Sequence, residues 1–189
     1  MKAVGYKLLL KYILLVVMSF TLPKAAAADM PVVYMDEGRA LFSFDVPDFW
    51  QVRSGGQRSV TPPDADEARL INRVIGMRPS ADDGAWMGFI SPHGVRTYDE
   101  AIEYLSDIGP FVVEDATAQP PRRVSIGGRP AASISGTGRR EGRAVSFTAV
   151  VIDLPRDRAA IALTVLESGA DPSFVDAFNT VFASFRALN

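Results

Sequence analysis

Residues 143–167 read RAVSFTAVVIDLPRDRAAIALTVLE, and this stretch decides the fold. Val145, Phe147, Ala149 and Val151 fall on one side of an extended chain; Ile161, Leu163 and Val165 do so after the break at 155–158. Two alternating apolar runs joined by a short Pro-Arg-Asp turn are the pattern of paired antiparallel strands. Working outward, segments 123–126, 129–137, 143–154 and 159–167 follow one another across turns at 127–128, 138–142 and 155–158, which predicts an antiparallel meander.

The N-terminal half continues in the same style. Segments 31–35 and 39–46 form a hairpin around Asp36-Glu37-Gly38, residues that tolerate left-handed backbone. In its second arm Phe42, Phe44 and Val46 alternate with Leu41, Ser43 and Asp45. Pro47 ends that arm, and Phe49, Trp50 and Val52 resume an extended course into Ser54-Gly55-Gly56. Further strands are expected at 70–78 and 85–91, with a turn at 79–84. The loosely composed stretches 54–67 and 114–122 read as long surface loops.

Two helices punctuate the strands. Thr97-Tyr98-Asp99-Glu100 is a capping box, whose hydroxyl and carboxylate satisfy free amides at a helix start. That helix runs to about Ile108, presents Tyr98, Ala101, Ile102 and Leu105 on one face, and stops at Gly109-Pro110. The last helix opens with Asp171 as N-cap and Pro172 at the first position. Its stripe of Phe174, Val175, Phe178, Val181, Phe182 and Phe185 is core material, not a ligand site.

Before all of this comes an export address. Lys2, Lys7 and Lys11 precede and break an apolar stretch, residues 12–22 are apolar, and Ala26 and Ala28 flank Ala27 in a cleavage site. The apolar run is short of the ~20 residues a membrane-spanning helix needs. The expectation is a signal peptide over 1–28 and one domain over 29–189, periplasmic (alternatively fully secreted), with no stable membrane insertion. The absence of cysteine excludes both a lipidated cysteine and disulfides.

Removing residues 1–28 removes all four lysines, leaving sixteen arginines against twenty-two acidic residues and a net charge of −6. That balance favours solubility and argues against nucleic acid as a partner. The arginines are segregated. Residues 122–143 hold six of them against Glu141 alone, +5, whereas residues 29–121 carry −9. Arg122, Arg123, Arg139, Arg140 and Arg143 are therefore the candidate residues for gripping a partner or an anion, because guanidinium groups bind carboxylates and phosphates bidentately. Arg139 and Arg140 at the expected hairpin turn, and Arg122 and Arg123 at a strand entry, stand at opposite ends of a strand and need not form one patch.

Catalytic machinery is hard to assemble. His93 is the sole histidine, and no G-x-S-x-G elbow accompanies it. Asp64-Ala65-Asp66-Glu67 fails as a calcium loop, since the sixth and twelfth positions counted from Asp64 are Arg69 and Ile75. Gly136 to Gly142 lacks the Lys-Ser/Thr of a phosphate loop, and a hairpin turn accounts for its glycines. No catalytic residue, cofactor or metal is expected. The favoured function is a noncatalytic accessory protein contacting an envelope protein. Two alternatives stay open: a small-ligand carrier with a cleft between sheet and helix near Trp50, Trp86 and Tyr98, and a hydrolase built on His93.

Three motifs add a family resemblance. Phe42-Ser43-Phe44-Asp45-Val46-Pro47-Asp48-Phe49-Trp50 resembles the opening strand, proline and tryptophan of the PsbP-like family, whose fold is shared with the Ran-binding Mog protein. Ile126-Gly127-Gly128-Arg129-Pro130-Ala131-Ala132 is similar to its Gly–x–Pro–Ala strand entry, and Phe174 through Ser184-Phe185 to its closing helix. The order agrees from about Val32 to Phe185. The resemblance implies an α+β fold, an α/β/α sandwich with a central antiparallel sheet flanked by helices, and an accessory or binding role. It carries no catalytic residues with it. In that fold Trp50 plugs the core where the opening strand turns, and Pro47 sets the turn.

Overall fold

The computed structural model describes residues 29–56, 58–60, 69–71 and 73–189. The signal peptide expected over 1–28 and the acidic run at 64–67 lie outside them. The chain opens with β1 (Met30–Asp36) and β2 (Arg39–Val46), paired antiparallel around Glu37 and Gly38, which both take positive φ. β3 (Trp50–Ser54), β4 (Arg58–Val60), β5 (Arg69–Ile71), β6 (Ile75–Pro79) and β7 (Ala85–Ile90) follow, then α1 (Tyr98–Ile108) and a short 3-10 turn, Gly109–Phe111. The second half holds β8 (Glu114–Ala118), β9 (Arg122–Ile126), β10 (Arg129–Arg140), β11 (Arg143–Leu154), β12 (Arg158–Glu167), α2 (Ser173–Ser184) and β13 (Arg186–Ala187).

The main sheet has eight strands in the order β3-β6-β7-β12-β11-β10, with β8 and then β9 along the outer side of β10. Every pairing is antiparallel. β1, β2 and β13 make a second, three-stranded sheet, and β4 pairs with β5 alone. The result is a sheet-dominated α+β fold with two helices among the described residues. The two helical layers expected of a sandwich reduce to α2 beside the small sheet on one face and α1 alone on the other.

The first face is sealed by aromatic rings. Phe42 stacks on Tyr34 with centroids 4.7 Å apart, and Phe44 on Phe89 at 4.3 Å; Phe185 closes the group against Phe42 at 5.2 Å. Trp50, 3% exposed, meets Phe174 and Phe178 edge-on at 6.3 and 5.6 Å. Its amide donates to the Pro47 carbonyl at 2.9 Å, so the proline does set the turn that delivers the indole inward. α2 contributes Phe174, Phe178 and Val181 to this layer, spaced four and three residues apart. Val175, expected in the stripe, lies one position round the helix and is exposed. α2 begins one residue later than expected, with Pro172 and not Asp171 at its N-cap; the Asp171 carboxylate accepts from the Ser173 amide at 2.9 Å, which holds that carboxyl below its usual range.

The second face carries α1. Its capping box is complete: Glu100 accepts from the amides of Arg96 and Thr97 at 2.7 and 2.9 Å, and Thr97 accepts from the Glu100 amide. These bonds lower the Glu100 carboxyl, with the Arg96 amide the larger cause. Ala101 and Tyr104 are buried against Ile90, Val151 and Ile161, with Tyr98, Leu105 and Ile108 beside them. Tyr104 thus takes the place expected for Ile102. No helix among the described residues is long and apolar enough to cross a membrane.

Three expectations are corrected. Residues 70–78 are not one strand: the Arg73 carbonyl accepts from the Tyr34 hydroxyl and the Val74 carbonyl from the Gly55 amide, so the chain changes partner between β5 and β6. Residues 114–122 are not a loop, since β8 pairs with β10 and Arg122 begins β9. The turn after β10 is only Glu141-Gly142, both at positive φ, so Gly136, Gly138, Arg139 and Arg140 belong to the strand. Gly136 and Gly138 serve close packing: a Cβ on either would come within 2.4 Å of Thr117 O and Val113 Cγ1 respectively.

Replacing Trp50 by alanine removes the ring that α2 packs on and should cost about 3–5 kcal/mol. The indole N–H is buried without a hydrogen-bond partner among the described residues. Phenylalanine, which keeps an aromatic ring and deletes that orphan donor, should therefore cost much less. Urea titrations of both variants measure the difference.

Candidate functional site

Cross-strand register lays side chains in rows over the α1 face. One row runs Ile90, Ile161, Val151, Ala132, Arg123 from β7 to β9. α1 covers the first three and leaves Ala132 and Arg123 outside its footprint. A groove of about 740 Å³ fills that uncovered corner. Its floor is Ala132, Val151 and Ala159, with Ala131, whose side chain packs on the opposite face, at its edge; its walls are Arg96, Thr97 and Tyr98 at the start of α1 and Pro121 to Val124 leading along β9. Pro130 and Asp153 close one end. The space exists because α1 stops short of β10 and β9, where Ala132 is small.

The five arginines singled out from sequence do not form one patch. Arg122 pairs in register with Ser133 and Arg143 with Arg140, seven residues further along β10, roughly 23 Å at strand rise. At that distal end each cation is engaged. Arg139 donates to the Gly142 carbonyl at 2.7 Å, and Arg143 bonds Glu167 at 2.7 Å with Glu141 at 3.9 Å. Arg140 lies 5.4 Å over the Trp86 ring. Trp86 in turn lies flat on Gly88, where a Cβ would come within 2.3 Å of the indole, and near Gly76. Arg140 and Trp86 therefore act as a lid over Val145, Val165 and Phe147.

The proximal end is different. Arg129 is neutralised by Asp153, through the carbonyl at 2.9 Å and the carboxylate at 3.3 Å. The side chains of Arg122 and Arg123 are exposed and make no hydrogen bond or ion pair among the described residues; both residues line the groove, Arg123 in the row of Ala132 and Arg122 one position along β9 at the rim. Arg96 joins them from the other wall, its amide donating to Glu100 at 2.7 Å. Sequence reading missed Arg96, because its nearness to residues 122 and 123 follows from sheet register, which local pattern does not reveal.

Other expected sites resolve as follows. Trp50 is sealed on the opposite face and Trp86 lies under Arg140, so of the three aromatic residues assigned to a carrier cleft only Tyr98 lines the groove. His93 is exposed in its loop. The neighbouring Ser91 hydroxyl is buried, donates to the Ala159 carbonyl at 2.8 Å and accepts from Arg158 at 3.0 Å. Arg158 also binds Asp36 at 2.8 Å, so this cluster ties the small sheet to the start of β12. Among the described residues, no three His, Asp or Glu side chains converge as metal ligands. Asp82 and Asp83 have structural partners in the Gly84 amide and Arg78.

No protein-family model and no curated protein matches the chain in sequence. Among solved structures it is similar to cyanobacterial PsbP from Synechocystis sp. PCC 6803, at 12% identity, covering 88% of this chain and 96% of that one with a TM-score of 0.50. It is also similar to the Saccharomyces cerevisiae Ran-binding protein Mog1p, at 8% identity, 87% and 97% coverage and a TM-score of 0.48. LpqN of Mycobacterium tuberculosis, involved in cell envelope biogenesis, aligns at 11% identity, 85% and 91% coverage and a TM-score of 0.44. The resemblance read from the Phe42–Trp50 motif thus holds at the level of fold: the chain adopts the PsbP-like fold.

The partition of arginines has a direct consequence for stability. Arg140→Ala uncovers Trp86 and should cost about 0.5–1 kcal/mol, with a red shift of tryptophan emission. Arg122→Ala and Arg123→Ala should each stay within about 0.5 kcal/mol of the parent. Denaturant midpoints with fluorescence detection compare the three.

Proposed function

We propose that residues 29–189, exported on the signal peptide 1–28, act in the periplasm as a noncatalytic accessory protein that docks an envelope protein in the groove between α1 and β9. The observation that carries this is the contrast within one arginine cluster. Arg139, Arg140 and Arg143 are engaged by the protein itself, whereas Arg122 and Arg123 stand unengaged on the rim of a groove with an apolar floor. Unpaired guanidinium groups beside a recess suit recognition of a partner's carboxylates more than they suit stability. The accessory role implied by the PsbP-like resemblance supports the same reading. The carrier alternative uses the same groove and differs in its occupant.

Crosslinked capture of the full-length chain, tagged at its C-terminus and expressed with its own leader, tests this. The captured periplasmic partner should be lost in Arg122→Glu/Arg123→Glu and retained in Arg139→Glu. A partner held equally by all three forms would remove the groove from the interface. A metabolite bound without protein would favour the carrier.

A further inference from the structure

Resting on the reading above, we propose that the groove receives an extended segment of the partner in which acidic and apolar residues alternate. Three features of the trough select that class. Its floor of Ala132, Val151 and Ala159 is shallow and apolar, which suits short aliphatic side chains. Between the part of β11 under α1 and the β9 edge the floor is one strand, β10, wide, a single lane for an extended chain. Of the charged residues that line the space, Arg96, Arg122 and Arg123 stand against Asp153 alone, an excess of two cations. In an extended peptide alternate side chains point to opposite sides, so aliphatic residues would face the floor while carboxylates rise to the rim.

The same observations exclude two other binding modes. The Glu100 carboxylate already sits at the start of α1, accepting from the amides of Arg96 and Thr97, and its negative charge opposes an anion there. Addition of a strand along the outer edge is obstructed as well. Asp115 sits at positive φ where the β8 register slips, and Pro120-Pro121 interrupts the edge between β8 and β9. The segment therefore lies in the trough and not beside it.

The test uses the full-length chain, purified after export, and a fluorescein-labelled decapeptide of alternating glutamate and valine, read by anisotropy at low ionic strength. A glutamine–valine peptide is the neutral control. Arg122→Gln/Arg123→Gln should weaken binding of the glutamate peptide by about tenfold, and added salt should erase the difference. Ala132→Leu, which fills the floor and leaves every charge in place, should abolish binding while the thermal melt is preserved. Equal binding of both peptides, or undiminished binding by Ala132→Leu, would overturn the inference. Should the glutamate peptide fail to bind while Ala132→Leu still loses the crosslinked envelope partner, the acidic segment is wrong and the groove reading stands. Loss of neither would bring both down.

Discussion

A single eleven-residue helix has to cover one face of an eight-stranded sheet, and it cannot. The helix is about 16 Å long, while strands at their usual spacing spread the sheet over about twice that. α1 lies over the middle, where Ile90, Ile161 and Val151 need burial. What remains on either side has to be made tolerable to water by other means, and the molecule uses two. At the distal end Trp86 lies flat over Gly88 beneath Arg140, so a polar cation is what water meets. At the proximal end the exposed floor is trimmed to alanines, and the edge strand is armed with Arg122 and Arg123. The first solution closes the face; the second leaves a trough.

The opposite face shows what full coverage looks like, and it explains why the trough is held firmly. α2 and the three-stranded sheet press a continuous set of rings, Tyr34, Phe42, Phe44, Phe89 and Phe185, onto the other side of the same strands. Val150 and Ile152 point into that core while Val151, between them, forms part of the groove floor. Packed interiors resist deformation, so the groove is backed by the most buried part of the protein. Arg158, bonded to both Asp36 and Ser91, fastens the small sheet at the start of β12, beside the floor residue Ala159. A site with this support presents fixed walls to an incoming chain and gives up little order on binding.

Much of the fold was legible because it is written locally. The turn residues Glu37-Gly38, the capping box from Thr97 to Glu100 and the alternation through β11 and β12 are each decided within a few positions. The errors arose where a distant partner decides. Residues 114–118 look like loop until β10 offers them a ladder, and Arg139 and Arg140 look like turn until Glu141-Gly142 is seen to suffice. The site was half legible for the same reason. Composition exposed an excess of arginine between positions 122 and 143, but only the folded register separates the cations that grip Glu167, Gly142 or Trp86 from the two that grip nothing. Arg96 carries no local signal that it faces them.

Under the proposed function the proximal trough, and not the distal arginine hairpin, is the docking surface. Backbone amide shifts in a nitrogen-15-labelled sample, titrated with the alternating glutamate–valine peptide, decide it most directly. Docking in the trough should concentrate the shifts at Arg96 to Tyr98, Arg122 to Val124 and Ala131–Ala132, with the turn from Arg139 to Arg143 unmoved. Shifts centred on Arg139 to Arg143, with the trough silent, would contradict it.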